Sequence, residues 1–164
     1  METFNLAFMR DFIYFIFIFL AGLLFVRAQS DSEIEWKSWP ELEQAIKEKP
    51  KPVFIFFHAK WCSYCKKIER EIFTKPEVIQ KLNSDYYAIE MDVEQTDTIT
   101  FESVNFINKQ ALTQRNGVHE IPLLLASRKG FPFSLPATVI LNKDFTLKDR
   151  FFEYYTSKLL LNFL

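Results

Sequence analysis

Cys62 and Cys65 are the only cysteines in the chain, and they stand three positions apart in Trp61-Cys62-Ser63-Tyr64-Cys65. An apolar run, Val53 to Phe57, precedes them, and a helical pattern follows from Lys66. At the start of a helix that spacing puts both sulfurs within bonding reach. The pair can then close to a disulfide and reopen. The unpaired N–H groups of a first helical turn, with the helix dipole, favour a thiolate there. A thiolate is the species that attacks disulfides, and Cys-x-x-Cys sites at helix N-termini lower the thiol pKa for this reason. On this pattern Cys62 is the exposed attacker and Cys65, one turn further in, the resolving thiol. Lys60, Lys66 and Lys67 add positive charge nearby.

Two other readings use the same cysteines. A Cys-x-x-Cys pair can be half of a zinc site. Zinc needs two further ligands, there is no second cysteine pair, and His58 and His119 are the only histidines. A purely structural disulfide is the other reading, but so small a loop stabilises little. Redox exchange is the reading the pattern favours.

The length of 164 residues suggests one domain. With 49% apolar and 25% charged residues the composition is that of a globular protein, and nineteen phenylalanines supply core material. A net charge of −1 gives no reason to expect a nucleic-acid partner. Three glycines and no glycine-rich loop argue against nucleotide binding, and no cofactor is called for. Phe12 to Val26 is an unbroken apolar stretch. It falls short of the roughly 20 residues of a comfortable membrane span and fits the apolar centre of a signal peptide. Val26-Arg27-Ala28 offers a cleavage site after Ala28, although Arg10 is the only basic residue ahead of the stretch. Residues 1–28 therefore read as a signal peptide or a retained membrane anchor, and residues 29–164 as an exported domain. In an export compartment a single Cys-x-x-Cys pair serves exchange more readily than stapling.

The elements that must position the pair follow from pattern. Ser38-Trp39-Pro40-Glu41 predicts a helix start with a capping box, running to about Glu48. Val53 to Phe57 predicts a buried central strand. The helix after the cysteines carries Ile68, Ile72 and Phe73 on one face. Thr74-Lys75-Pro76-Glu77 predicts a second capping box, opening a short helix with Val78, Ile79 and Leu82. Tyr86 to Val93 predicts a strand. Asp97 to Asn108 predicts an insert, with Ile99 to Phe101 and Val104 to Ile107 as a small hairpin. Ile121 to Arg128 predicts a helix with Pro122 in its first turn and Gly130 as its stop. Ala137 to Leu141 and Thr146 to Phe152 predict antiparallel strands around a turn, and Thr156 caps a last helix. The order reads β-α-β-α-α-β, an insert, then α-β-β-α, an α/β class with a mixed sheet covered on both faces.

That order, with Phe57-His58-Ala59-Lys60-Trp61-Cys62-Ser63-Tyr64-Cys65, resembles the thioredoxin superfamily over about Trp36 to Leu164. Cys65-Lys66-Lys67-Ile68-Glu69 and Phe73-Thr74-Lys75-Pro76-Glu77-Val78 most resemble exported bacterial thioredoxin-like proteins, among them the C-terminal domain of DsbD. The resemblance implies a thioredoxin fold, a central mixed sheet flanked by helices on both faces, with the insert before the fourth strand. It implies a cis-proline at Pro136, presenting the backbone of Leu135 to an extended substrate. It implies that Trp61 shields Cys62. The family's buried aspartate on the central strand falls at Phe56, so that acid is missing. Glu69 matches an acid of the DsbD-like domain and is the candidate proton acceptor, with His58 as a second.

The expectation is an exported thiol:disulfide oxidoreductase of the bacterial periplasm. Cys62 and Cys65 carry the reaction, Glu69 assists, and Trp61, Leu135 and Pro136 bind substrate. No metal or other cofactor is expected. The partners are protein disulfides or dithiols and a membrane electron donor. A reductase is the favoured direction. A disulfide-forming oxidase or isomerase, or a non-enzymatic binding module of the same fold, are the alternatives.

Overall fold

A computed structural model describes residues 32–164. The signal-or-anchor stretch and the proposed boundary at residue 28 lie outside the described residues. Five α-helices and six strands form in the order α1 (Trp39–Glu48), β1 (Val53–His58), α2 (Ser63–Glu71), α3 (Pro76–Asp85), β2 (Tyr87–Asp92), β3 (Ile99–Phe101), β4 (Val104–Phe106), α4 (Glu120–Ala126), β5 (Ala137–Leu141), β6 (Leu147–Phe151) and α5 (Ser157–Phe163). None of these helices is long and apolar enough to cross a membrane.

The main sheet runs β2-β1-β5-β6. β1 pairs in parallel with β2 and antiparallel with β5, so the sheet is mixed. β1 is central and its residues Val53 to Phe57 are fully buried, as a continuous apolar run requires. Phe54, Phe56 and His58 share one face, because side chains alternate along a strand. Trp36 and Phe73 pack on that face against Phe54, and Phe73 also sits edge-on to Phe56 at 4.9 Å. Tyr155 closes it on the β5 side by a hydrogen bond with Thr138 at 2.9 Å. Val53, whose partner on β5 is Leu141, belongs to the opposite face. There Leu141 shares an apolar cleft with Trp39 of α1 and Ile121 and Leu125 of α4. Helical layers thus cover both faces.

Several local predictions hold in detail. Ser38 caps α1, and its capping box with Glu41 is formed. The β3–β4 hairpin forms as a separate two-stranded sheet, with Glu102 and Ser103 at positive φ in its turn. Thr156 caps α5 through its side chain.

Three predictions are corrected. The leading strand of the predicted order is reduced to one parallel bridge between Trp36 and Ala88. The Thr74–Glu77 capping box does not form. Thr74 Oγ1 instead donates to the Arg70 carbonyl at 2.8 Å, satisfying the end of α2, and Lys75 becomes the uncapped start of α3. Gly130 does not stop α4, which ends at Ala126 with Ser127 extended. Gly130, at φ 79°, turns the chain inside an Arg128–Phe131 bridge further on.

Candidate functional site

β1 delivers the chain to Trp61 at its C-terminal end, and α2 begins two residues later. Cys62 is the N-cap of α2, with extended backbone, and Cys65 lies in the first turn. The two are joined as a disulfide, with Cα atoms 5.2 Å apart. The Cys65 N–H donates to Cys62 Sγ at 3.1 Å. A capping sulfur therefore accepts an N–H that would otherwise be unpaired at a helix start. On reduction the same N–H, with the positive end of the helix dipole, faces a thiolate at Cys62.

Cys62 is less exposed than the sequence suggests. It retains 4% of its surface and Cys65 none. The order is the expected one, since of the two residues only Cys62 keeps any exposed surface, but access is narrow. Trp61 beside it is 58% exposed and is fixed by donating from Nε1 to Glu94 Oε1 at 2.7 Å. The N–H of Glu94 donates in turn to Asp92 at the end of β2. Glu94 is a positioning residue that the sequence reading missed, because it reaches the site from the turn just beyond β2.

Tyr64, between the two cysteines in the chain, lines a cleft of about 360 Å³ with Leu135, Pro136, Phe152, Glu153 and Tyr154. The Leu135–Pro136 peptide is cis, as the resemblance implies. Arg128 braces the loop that leads to it. Its guanidinium donates to Ser134 Oγ at 2.9 Å and lies 4.0 Å from the Phe152 ring centre. Tyr154 packs near Tyr64, carries Lys67 over its ring at 4.5 Å, and donates to Glu71. The Lys67 charge is thus engaged with Tyr154 and Glu71, while Lys60 and Lys66 are exposed.

Phe56 occupies the central-strand position where the resemblance places an acid, and it is fully buried. Acidity returns from neighbouring elements. Glu69 of α2, Glu90 of β2 and His58 of β1 bring their polar atoms within 4.8 Å of one another. His58 Nε2 lies 3.5 Å from Glu90 Oε1, and the imidazole stacks on Phe56. Burial pushes the Glu90 carboxyl pKa up; His58 works against that shift and the Glu69 charge adds to it. His119 is elsewhere. Fully buried, it caps α4, with Nδ1 accepting the Ile121 N–H and Nε2 facing the Asp97 carbonyl. It takes no part with the cysteines.

A family model described as a thioredoxin-like domain matches residues 40–144. The chain belongs to the thioredoxin-like family. A stretch of 71 residues, 43% of this chain, is 28% identical to the thiol:disulfide interchange protein DsbD of Campylobacter jejuni. The chain spans 12% of the length of that relative. Among solved structures, the oxidoreductase DsbH superposes with a TM-score of 0.56 at 20% identity, over 83% of this chain and 85% of that one. A thioredoxin from Thermus thermophilus gives a TM-score of 0.51 at 18% identity, over 79% and 83%. These two likenesses show the fold. Family membership and the Cys62–Cys65 disulfide at a helix start together support a thiol:disulfide oxidoreductase.

Proposed function

We propose that this protein is an exported reductase that transfers electrons from a membrane-bound dithiol donor to disulfides in other proteins. The observation that carries the reading is the Cys65 N–H aimed at Cys62 Sγ at the start of α2. It favours a thiolate on Cys62, the cysteine of the pair that keeps some exposed surface. The Cys62 thiolate attacks a substrate disulfide, forming a mixed disulfide and releasing one substrate thiol. Cys65 then attacks Cys62 Sγ, and the second substrate thiol leaves. Two electrons pass to the substrate, and the enzyme ends as the Cys62–Cys65 disulfide. The donor returns it to the dithiol.

The cleft beside Pro136 suits an extended substrate chain, with the Leu135 backbone as its partner strand and the rings of Tyr64, Phe152 and Tyr154 contacting side chains next to the substrate cysteine. Trp61, exposed next to Cys62 in the chain, offers a further aromatic contact. Glu69, one helical turn below Cys65, receives its proton as it becomes the resolving thiolate. The partial likeness to a thiol:disulfide interchange protein supports disulfide exchange as the chemistry.

The reduction potential of the Cys62–Cys65 pair, equilibrated against glutathione or dithiothreitol buffers, tests the direction. A value near about −270 mV is expected for a reductase, and a value toward about −120 mV would assign the chain to disulfide formation instead.

A further inference from the structure

The proton that leaves Cys65 needs an acceptor, and the central strand offers Phe56 where an acid would serve. The register of the sheet supplies another. Phe56 pairs with Glu90 on the adjacent parallel strand, so both side chains leave the sheet on the same face. That face is the one under α2, where Glu69 stands four residues after Cys65, about 6 Å along the helix axis. Glu69, Glu90 and His58 converge there within 4.8 Å. The set is polar beside Phe54, Phe56, Trp36 and Phe73, which pack together on that face. It is connected to solvent, because Glu69 and Glu90 both line a cleft of about 330 Å³ that opens past Ser32 and Glu33.

We propose that Glu90 and Glu69 act as one proton-sharing pair beneath the dithiol, with Glu90 working through Glu69 to take up the Cys65 proton and pass it along this cleft. The proposal rests on the exchange reading above and deepens it. In the resolving step the Cys65 S–H bond breaks and its proton goes to the carboxylate pair. The Cys65 thiolate forms the S–S bond to Cys62, and the substrate sulfur leaves with the electron pair of the bond that breaks. In the reverse direction the pair returns the proton. The negative charge of Glu69 beside Glu90 makes the charged form of Glu90 costlier, so Glu90 holds a proton more readily. The burial-driven rise of the Glu90 pKa is in the same sense. The charged or titratable groups around Glu90 are His58 on β1, Glu69 on α2, Asp92 two residues along β2, Glu33 in the cleft on one side, and Lys37 and Asp97 in the cleft on the other. Glu90 thus stands where the missing central-strand acid would be reached from the neighbouring strand.

The test uses 5,5′-dithiobis(2-nitrobenzoate) as the disulfide. The reduced protein releases one thionitrobenzoate when Cys62 attacks and a second when Cys65 resolves the mixed disulfide. Glu90→Gln is expected to leave the first release unchanged. It should slow the second by at least about tenfold near neutral pH and displace its pH midpoint, a modest share of what general-base catalysis commonly provides because Glu69 remains. Glu90→Asp should restore the pH profile in part. A second release with wild-type rate and midpoint in Glu90→Gln overturns this inference alone. Absence of the first release in the wild type overturns the exchange reading and this inference with it. Should Glu90→Gln fail to fold, the Glu90 carboxyl titration in the wild type, followed by 13C NMR, decides the matter. It is expected to shift between the oxidised and reduced states, and identical titrations would overturn the proposal.

Discussion

His119 is the residue whose removal should most clearly reveal how the insert is tied to the site. It is fully buried and makes three anchoring contacts. Its N–H donates to the Val93 carbonyl at 2.8 Å, its Nδ1 accepts the Ile121 N–H at 3.2 Å, and its Nε2 lies 3.3 Å from the Asp97 carbonyl. With Nδ1 accepting, Nε2 carries the ring proton and donates to Asp97. His119→Ala keeps the backbone bond and removes the other two. Loss of the helix cap costs about 1 kcal/mol, the Nε2 bond about 1 kcal/mol, and the vacated volume roughly 2 kcal/mol. The sum, about 4 kcal/mol, is a large part of the roughly 5–15 kcal/mol that holds a domain together. Thermal unfolding of the residue 29–164 domain should then come about 12–16 °C lower, at roughly 3–4 °C per kcal/mol for this size. A drop of less than about 4 °C would refute the assignment of His119 as the anchor. The pH dependence gives a second signature. Burial holds the His119 pKa below its ordinary value. The unfolded chain, near 6.5, therefore takes up the proton first as pH falls. The stability contributed by neutral His119 is complete above about pH 6.5 and is lost as pH drops toward the folded pKa, by at most about 1.4 kcal/mol per pH unit. Glu90, whose folded pKa is raised, works in the opposite sense. The readout is therefore the difference between wild type and His119→Asn, which can still cap α4 but cannot titrate.

Three further outcomes are expected. Cys65→Ser should accumulate a stable mixed disulfide through Cys62, visible as an added mass on treatment with a disulfide substrate; no trapped species would contradict the order of attack. Gly117→Ala should destabilise by roughly 1–3 kcal/mol in urea unfolding. A Cβ there would lie 2.3 Å from the Ala111 backbone nitrogen, and backbone cannot step aside; an unchanged midpoint would show that this turn repacks freely. Ser38→Ala should cost about 1 kcal/mol by the same assay, because both halves of the capping box with Glu41 are made.

What could be read from the sequence was local. The Ser38 cap, the β1 run and the Cys-x-x-Cys at a helix start depend on neighbours a few residues away. The hairpin was legible from two short apolar clusters even though Glu102 and Ser103, rather than glycine, take the positive-φ turn. Thr74 misled because its hydroxyl had two backbone partners within reach, and it took the one behind it. Glu94 and Glu90 were illegible for a different reason. Glu90 enters the site through the pairing of β1 with β2 and Glu94 through the turn just beyond β2, which no spacing along the chain reports. The missing acid at Phe56 could be read from the sequence, but its replacement across the sheet could not. Cys62 is less exposed than the pattern suggests because, joined to Cys65, it belongs to the buried core.

The central claim is that Cys62 is an activated thiolate. Its direct test is the pH dependence of alkylation of the fully reduced protein by iodoacetamide, read by mass spectrometry of the peptide carrying each cysteine. Cys62 is expected to react selectively, with a midpoint well below the ordinary thiol value of about 8.5, while Cys65 stays protected. A Cys62 midpoint at or above about 8.5, or equal reaction at both cysteines, would contradict the account.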